Sequence, residues 1–225
     1  MNTEKKQAKK VELTPEQKSL KAQKNRRDGY LMVFLALLLF ALGAYLRESE
    51  SAHHKLLVNQ GHGGPNFEQT VVVMVKHDSL GAYGLIVNRP DEKNPGYYYG
   101  GPVQPDKISA LYTGVDNFEG GLLLSDTGIY YVEGEHAEEL RKLDPPPPWF
   151  IILRGYSGWS KRQLDREIFR EWWKIADVDL PAVTETDPEF IWRAVSEKLA
   201  AVEEAAKRGI TTEELEEKKK KPSGI

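Results

Sequence analysis

The chain has 225 residues, with 31 lysines and arginines against 34 acidic residues, a formal net charge of -3 and no cysteine. This length holds one ordinary domain plus appendages, since domains most often run to roughly 100 to 150 residues. The lack of cysteine excludes disulfides, thiolate catalysis and cysteine-ligated zinc or iron–sulfur centres, and the near-balanced charge gives no global reason for nucleic-acid binding.

Residues 1–29 are charged and poor in apolar side chains, which reads as a basic N-terminal tail without a core of its own. Thr14 and Pro15 carry a helix-start signal, a capping hydroxyl followed by proline at the first helical position. Residues 30–46, YLMVFLALLLFALGAYL, contain no charge for 17 positions. At 1.5 Å per residue the run spans about 25 Å, against a hydrocarbon core of roughly 30 Å. Arg47 can snorkel, and Tyr30 and Tyr45 sit at the two ends, so the run is expected to be a single transmembrane helix. It is longer than the apolar region of a cleaved signal peptide and lacks the polar face of a buried core helix. Before it stand Lys5, Lys6, Lys9, Lys10, Lys18, Lys21, Lys24, Arg26 and Arg27, and shortly after it only Arg47 and Lys55. That asymmetry expects an inner-membrane protein with a cytoplasmic N-terminus and an extracytoplasmic domain.

Residues 47–66 are polar and glycine-containing and are expected to form a linker. The domain is expected at 67–209. Within it, Gln69–His77 is a β-branched run of strand type, and Gly84–Pro90 is a second strand ended by proline, with a glycine turn between them. Strands are also expected at Gly121–Ser125, Ile129–Val132 and Trp149–Arg154. Helices are expected at Pro105–Tyr112, Gly134–Leu143, Ser160–Ala176 and Asp187–Arg208, the last with Asp187 as cap, Pro188 first and Gly209 past its end. Residues 210–225 form a charged C-terminal tail, with Thr211 and Glu214 at capping-box spacing. Strands and helices do not alternate regularly, which favours an α+β domain, a mixed sheet with flanking helices.

The stretch GYSGWSKRQLDREI, residues 155–168, invites comparison with the nucleophile elbow, a serine on a strained strand-to-helix turn. Trp159 stands where that motif needs its final glycine, and the last histidine, His136, lies upstream of Ser157, against the Ser–Asp–His order. A structural reading accounts for more residues. Ser160 and Gln163 have capping-box spacing, and Leu164, Ile168, Trp172 and Ile175 fall on one helical face. The histidines give no metal box: adjacent His53 and His54 diverge, and His77–Asp78 would point to opposite faces of a strand. Gly100-Gly101 can bring backbone close to a ligand but lacks phosphate-loop spacing, and Asp144–Trp149 reads as a polyproline spacer.

Three motifs in this order, FEQTVVVMVKHDSLGAYGLIVNRP at 67–90, YGGPV at 99–103, and GYSGWSKRQLDREI with Trp172 at 155–172, resemble the YqgE/AlgH family over about Phe67 to Ala194. The resemblance implies an α+β domain described in terms of transcriptional regulation, generally cytoplasmic, with no catalytic residue to carry over. Gly81, Gly84, Asn88, Gly100, Gly101, Pro102, Gly155, Gly158, Trp159 and Gln163 match family motif positions. The first 66 residues depart from the pattern. Taken together, the sequence is expected to be a non-catalytic, membrane-anchored accessory or assembly subunit of an inner-membrane complex, without cofactor or metal. Its expected partners are membrane lipid and other integral membrane subunits rather than nucleic acid. A regulatory or sensor module binding a small ligand or nucleic acid is the alternative.

Overall fold

The computed structural model describes residues 14–46, 51–124 and 127–210. The chain divides into two compact units, Met1–Ser49 and Glu50–Ile225.

Among the described residues the first unit holds one helix, α1 (Pro15–Leu46), with Glu16 in its first turn. The proline start at Pro15 follows the sequence expectation, and the helix runs without a break from the charged half into the apolar half. The expected transmembrane helix is corrected here: among the described residues, no helix is long and apolar enough to cross a membrane. Half of α1 carries charge, at Glu16, Lys18, Lys21, Lys24, Arg26, Arg27 and Asp28, and the uncharged half of about 25 Å falls short of the roughly 30 Å a span requires. The inner-membrane placement and the extracytoplasmic domain rested on that span and fall with it. Residues 1–13 and the tail residues 211–225 lie outside the described residues.

The second unit contains β1 (Leu56–Asn59), β2 (Val71–Asp78), β3 (Gly81–Ile86), β4 (Tyr98–Tyr99), β5 (Val103–Tyr112), β6 (Leu122–Leu123) and β7 (Tyr130–Glu133). There follow α2 (Glu135–Glu139) with a 3-10 turn at Leu140–Lys142, β8 (Phe150–Ser160), α3 (Gln163–Phe169), β9 (Trp173–Ala176), α4 (Leu180–Thr184) and α5 (Pro188–Lys207). The sheet order is β6-β7-β5-β8-β3-β2-β1-β9, with β4 pairing beside β8. Every pair is antiparallel except β4 with β8. This is an α+β domain with a mixed sheet.

The sheet curls around one core. Leu56, Val73, Leu85, Leu111, Tyr131 and Leu153, from six strands, share a cluster with Val183 of α4 and Ile191 and Val195 of α5. The opposite face is covered in two patches. Leu164 of α3 packs with Leu57, Val72, Met74 and Trp159, while Ala137 and Leu140 pack with Ala110, Tyr112, Val132 and Ile152. Strand β2 is apolar on both faces because both are covered, which is why it reads as a continuous run rather than an alternation.

Three expectations are revised by pairing. The "linker" 47–66 contains β1, whose four residues are all buried between β2 and β9, so the domain starts before Phe67. Residues 105–112 are strand, not helix: Pro105 signals a helix start, but Ile108–Tyr112 pairs on one side with Phe150–Arg154 and Ser109–Tyr112 on the other with Tyr130–Glu133. The expected helix 160–176 is seven residues long, and Trp173–Ala176 turns back to pair with β1. Their 3.6-like spacing was a coincidence of two elements meeting. The helix 187–208 is borne out by α5, with Pro188 at its start, although the Asp187 side chain makes no capping bond.

Strand β8 also runs beyond Arg154, through the glycines expected to end it. Gly155 has φ +69, and the pairing with β5 is irregular there, with Val103 opposite Tyr156 but Ile108 opposite Arg154. The extra residues of this bulge lie on β5, and the left-handed glycine opposite them shifts the alternation of β8 by one residue. Ile151, Leu153 and, past the bulge, Tyr156 therefore face the central core, whereas Trp159 faces the α3 side.

A Cβ on Gly100 would overlap the Gly155 carbonyl, and one on Gly101 would overlap the Tyr156–Ser157 peptide. We expect Gly101→Ala to lower the free energy of unfolding by about 1–3 kcal/mol, the usual range for overpacking, measured by urea denaturation followed by circular dichroism.

Candidate functional site

The residues singled out in the sequence divide into two groups once the strands are paired. Asn88 is a clamp: its Oδ1 accepts from Val71 N–H at 2.9 Å and its Nδ2 donates to the Gln69 carbonyl at 2.9 Å. Gly84 lies against Val72, Val73 and Met74, where a Cβ would come within 2.7 Å of the Val73 carbonyl. Gly100 and Gly101 face the backbone of β8 rather than an opening, so their close approach is to the chain itself. Ser157 is fully buried within β8, and its hydroxyl donates to the Gly100 carbonyl at 3.2 Å. It sits in mid-strand and not on a strand-to-helix turn. Pro102 is exposed.

The second half of the motif builds a clamp around Glu167. Its Oε2 accepts from Trp159 Nε1 at 2.8 Å and Trp173 Nε1 at 2.9 Å, and its Oε1 accepts from Gln163 Nε2 at 3.0 Å. Gln163 also accepts from Ser160 N–H at 3.1 Å through Oε1, which is the reach-back half of the expected capping box. The other half is absent: the Ser160 hydroxyl lies 3.1 Å from the same oxygen and caps nothing, and the residue before the helix is Arg162, at φ +57.

His77 does have an acidic partner, but it is Asp165 from α3 rather than Asp78. Ala52 N–H donates to His77 Nδ1 at 3.0 Å, so Nε2 carries the proton and faces Asp165 Oδ1 at 3.0 Å. The imidazole has no nitrogen left for a substrate proton, and its side chain is 7% exposed. His53 stacks on His54, and burial together with that neighbour lowers the His54 pKa. Among the described residues, no group of three or more His, Asp or Glu is placed to hold a metal ion.

Grooves offer the remaining candidates. One, about 940 Å³, is lined by Arg89, Asp91, Tyr99, Arg154 and Asp187 among others. Its arginines are committed. Arg89 donates to the carbonyls of Pro65, Asn66 and Glu68, and Arg154 pairs with Asp106 at 3.0 Å and lies over the Tyr97 ring.

The second, about 560 Å³, lies where β3, β5 and β8 meet, and its lining includes Gly81, Tyr83, Lys107, Glu133, Tyr156, Gly158 and Trp159. Tyr83 stands opposite Gly158 in the pairing of β3 with β8, and the absent side chain at 158 leaves space beside the two rings. A Cβ at 158 would sit 3.0 Å from the Tyr156 ring edge. The Tyr83 and Tyr156 rings meet edge to face, centroids 5.9 Å apart, and Tyr131 packs edge-on to Tyr83 at 6.2 Å. Lys107 lies in the bulged stretch of β5, which carries its ammonium to 5.9 Å from the Tyr83 centroid and 5.4 Å from that of Tyr156. The same ammonium pairs with Glu133 Oε1 at 2.9 Å, and the Tyr131 hydroxyl donates to that carboxylate.

Burial, and then the hydrogen bond to Glu133, raise the Tyr131 pKa far above its usual value of 10.0. For Glu133, burial pushes upward, but the bonds from Tyr131 and Lys107 outweigh it and hold the carboxyl below its usual range. The sequence-derived site residues Gly81, Gly158 and Trp159 thus fall in this groove, while Gly84, Asn88, Gly100, Gly101, Gly155 and Gln163 are architectural. Tyr83, Lys107, Tyr131, Glu133 and Tyr156 escaped the sequence reading. Lys107 lay in a segment read as helix, and only the tyrosine in GAYG hinted at the groove.

The AlgH-like family model matches residues 55–202. A UPF0301 protein of Chromobacterium violaceum is 30% identical over 141 residues, covering 54% of this chain and 75% of its own. A UPF0301 protein of Ralstonia nicotianae is 28% identical over 162 residues, covering 64% and 80%. The solution structure of AlgH from Pseudomonas aeruginosa superposes with a TM-score of 0.53 at 24% identity, covering 80% of this chain and all of that one. A crystal structure from Corynebacterium diphtheriae gives 0.53 at 20% identity, covering 68% and 90%. These two likenesses show the fold alone. The membrane-anchored accessory subunit expected from the sequence is corrected accordingly: the matched family accounts for the domain, and no described helix supplies the anchor.

Two measurements follow from this geometry. Removing the carboxylate strands two indole N–H groups in a buried setting, so Glu167→Ala is expected to cost about 2 kcal/mol of stability, with tryptophan emission shifted to the red. Tyr131 is held neutral in the fold, so its contribution is complete below pH 10.0 and is lost as pH rises past that value, where the unfolded chain releases a proton that the folded chain keeps. Tyr131→Phe should therefore flatten the alkaline fall in stability, followed by urea unfolding across that range. A slope from Tyr112, pushed up to about 12 by burial, should remain.

Proposed function

The chain belongs to the AlgH-like family, and on that premise we propose that it is a non-catalytic ligand-binding module, regulatory in class, whose binding surface is the groove between β3, β5 and β8. The observation that carries this reading is the meeting of Tyr83 and Tyr156, on paired strands, with Lys107 from the bulged stretch of β5, beside the side-chain-free Gly158. Aromatic faces with a few convergent charged groups are the usual furniture of small-molecule sites, and strands hold such groups more firmly than loops do.

The absence of catalysis is part of the proposal and rests on the same geometry. Ser157 is buried and donates to a backbone carbonyl, and the His77 ring is engaged at both nitrogens. Neither offers the nucleophile–base contact that acyl transfer requires. Nucleic acid is a poor fit as ligand, because the groove has no row of uncommitted cations to follow a phosphate backbone.

The test is a nitrogen-15 NMR titration of the isotopically labelled full chain with small fragments of several kinds: alkylammonium, carboxylate, nucleotide and neutral aromatic. Amide shifts are expected to cluster at Tyr83, Lys107, Tyr156 and Gly158 and to vanish in Tyr156→Ala. Shifts confined to the Arg89–Arg154 groove, or no shifts with any fragment, would overturn the reading.

A further inference from the structure

Lys107 makes the interactions that a cationic ligand would make. Its ammonium sits within 6 Å of two tyrosine faces and 2.9 Å from a carboxylate, which is the recognition chemistry of alkylammonium groups: ring quadrupoles toward the positive charge and one acidic counter-charge. We infer that the Tyr83–Tyr156–Glu133 corner is a cation site whose resting occupant is the chain's own Lys107, and that its ligand is a small organic cation of the alkylammonium class. The inference deepens the binding reading above and rests on it.

Four observations favour a cation over an anion or a neutral ring. Glu133 Oε1 accepts from both the Tyr131 hydroxyl and the Lys107 ammonium, so removing the ammonium leaves a charged carboxylate in the same groove as the two tyrosine rings. The other cation of the lining, Lys76, is taken by Asp78 at 3.0 Å. The shallow depression that shares Lys107 and Glu133 with the groove adds no cation to its lining, only Glu135 beside Asp106 and Glu138, which pair with Arg154 and Arg141. Finally, the Lys107 side chain is about one-third exposed, at 32%, and Glu133 is 45% exposed, so both are reached from solvent and their pairing is of the weak, screened kind. A tethered occupant held this loosely lowers ligand affinity by the fraction of time it fills the site, and it can be displaced without unfolding anything.

Lys107 enters on a bulge rather than on regular strand. Four residues of β5, Gln104 to Lys107, stand against Gly155 alone on β8, and Gln104 adopts φ +47. Such a segment can lift while Val103 and Ile108 stay paired, which gives the ammonium a route out of the site.

The experiment titrates n-butylammonium and tetramethylammonium, with butyrate and n-butanol as controls, into the full chain and three variants, reading amide shifts at Tyr83, Tyr156 and Gly158. Lys107→Ala removes the internal competitor and should bind both cations at least about fivefold more tightly than the unaltered chain. Lys107→Met, which keeps the stem but not the charge, should do the same if the alanine variant folds poorly. Glu133→Gln combined with Lys107→Ala should lose most of that gain. Equal or weaker cation binding in both Lys107 variants overturns the inference. If butyrate or butanol shifts the groove and neither cation does, the cation assignment fails while the binding module stands. If none of the four shifts it, the cation inference fails, and the binding module stands or falls on the nucleotide and neutral aromatic fragments of its own titration.

Discussion

Gly155 sets the terms for much of this domain. It takes a backbone conformation closed to other residues at low cost, and it does so in the middle of β8, the strand that pairs with β3, β4 and β5. One residue of slippage follows. Before it, Ile151 and Leu153 point into the central core; after it, Tyr156 points the same way and Trp159 the other. Because strand side chains alternate with period two, a one-residue shift of phase at Gly155 exchanges the two faces for everything downstream. Without it, Trp159 would be on the side of α5 and Tyr156 on the side of α3. Gly100 and Gly101 are part of the same device, since their missing side chains let the β4–β5 connection lie against the bulged backbone.

The two faces then acquire different roles. On the α3 side, Trp159 and Trp173 donate to one carboxylate of Glu167, which binds a strand end, a short helix and the edge strand β9 into one unit. A seven-residue helix has little stability of its own, so this convergence and the packing of Leu164 are what hold it. On the other side, Tyr156 meets Tyr83 beside Gly158, and Lys107 reaches over both from the bulged stretch of β5 that stands against Gly155. The groove is thus a by-product of a pairing irregularity, which is a common origin of binding surfaces on sheets. The motif residues and the groove residues are mostly different because the first make the irregularity and the second stand where it points.

How far the sequence was legible can be seen in particular segments. Gln69–His77 declared itself because a β-branched run covered on both faces has no other reading, and α5 because Pro188 and Gly209 bracket a long amphipathic pattern. Strand β1 was hidden because four residues inside a polar stretch carry too little pattern, although all four are buried. Strand β5 was misread because Pro105 imitates a helix start, and pairing with β7 and β8 overrode that local preference. The apolar run 30–46 was read as a membrane span from length and lack of charge, and the continuous helix it belongs to is half charged.

Composition and order by themselves determined that this chain has no thiol chemistry and that its domain is α+β, because those conclusions rest on residue identity and short-range spacing. Tertiary structure alone decided that Lys107 overhangs Tyr83 and Tyr156, that Glu167 joins two tryptophans, and that His77 answers to Asp165. Some of these partners, such as Lys107 with Tyr83 and Tyr156 or His77 with Asp165, lie far apart along the chain. Others, such as Glu167 with Trp159 and Trp173, are close in sequence. In either case strand register and the turn that brings β9 back onto β1, neither of which is a local property of sequence, determine which side chains meet.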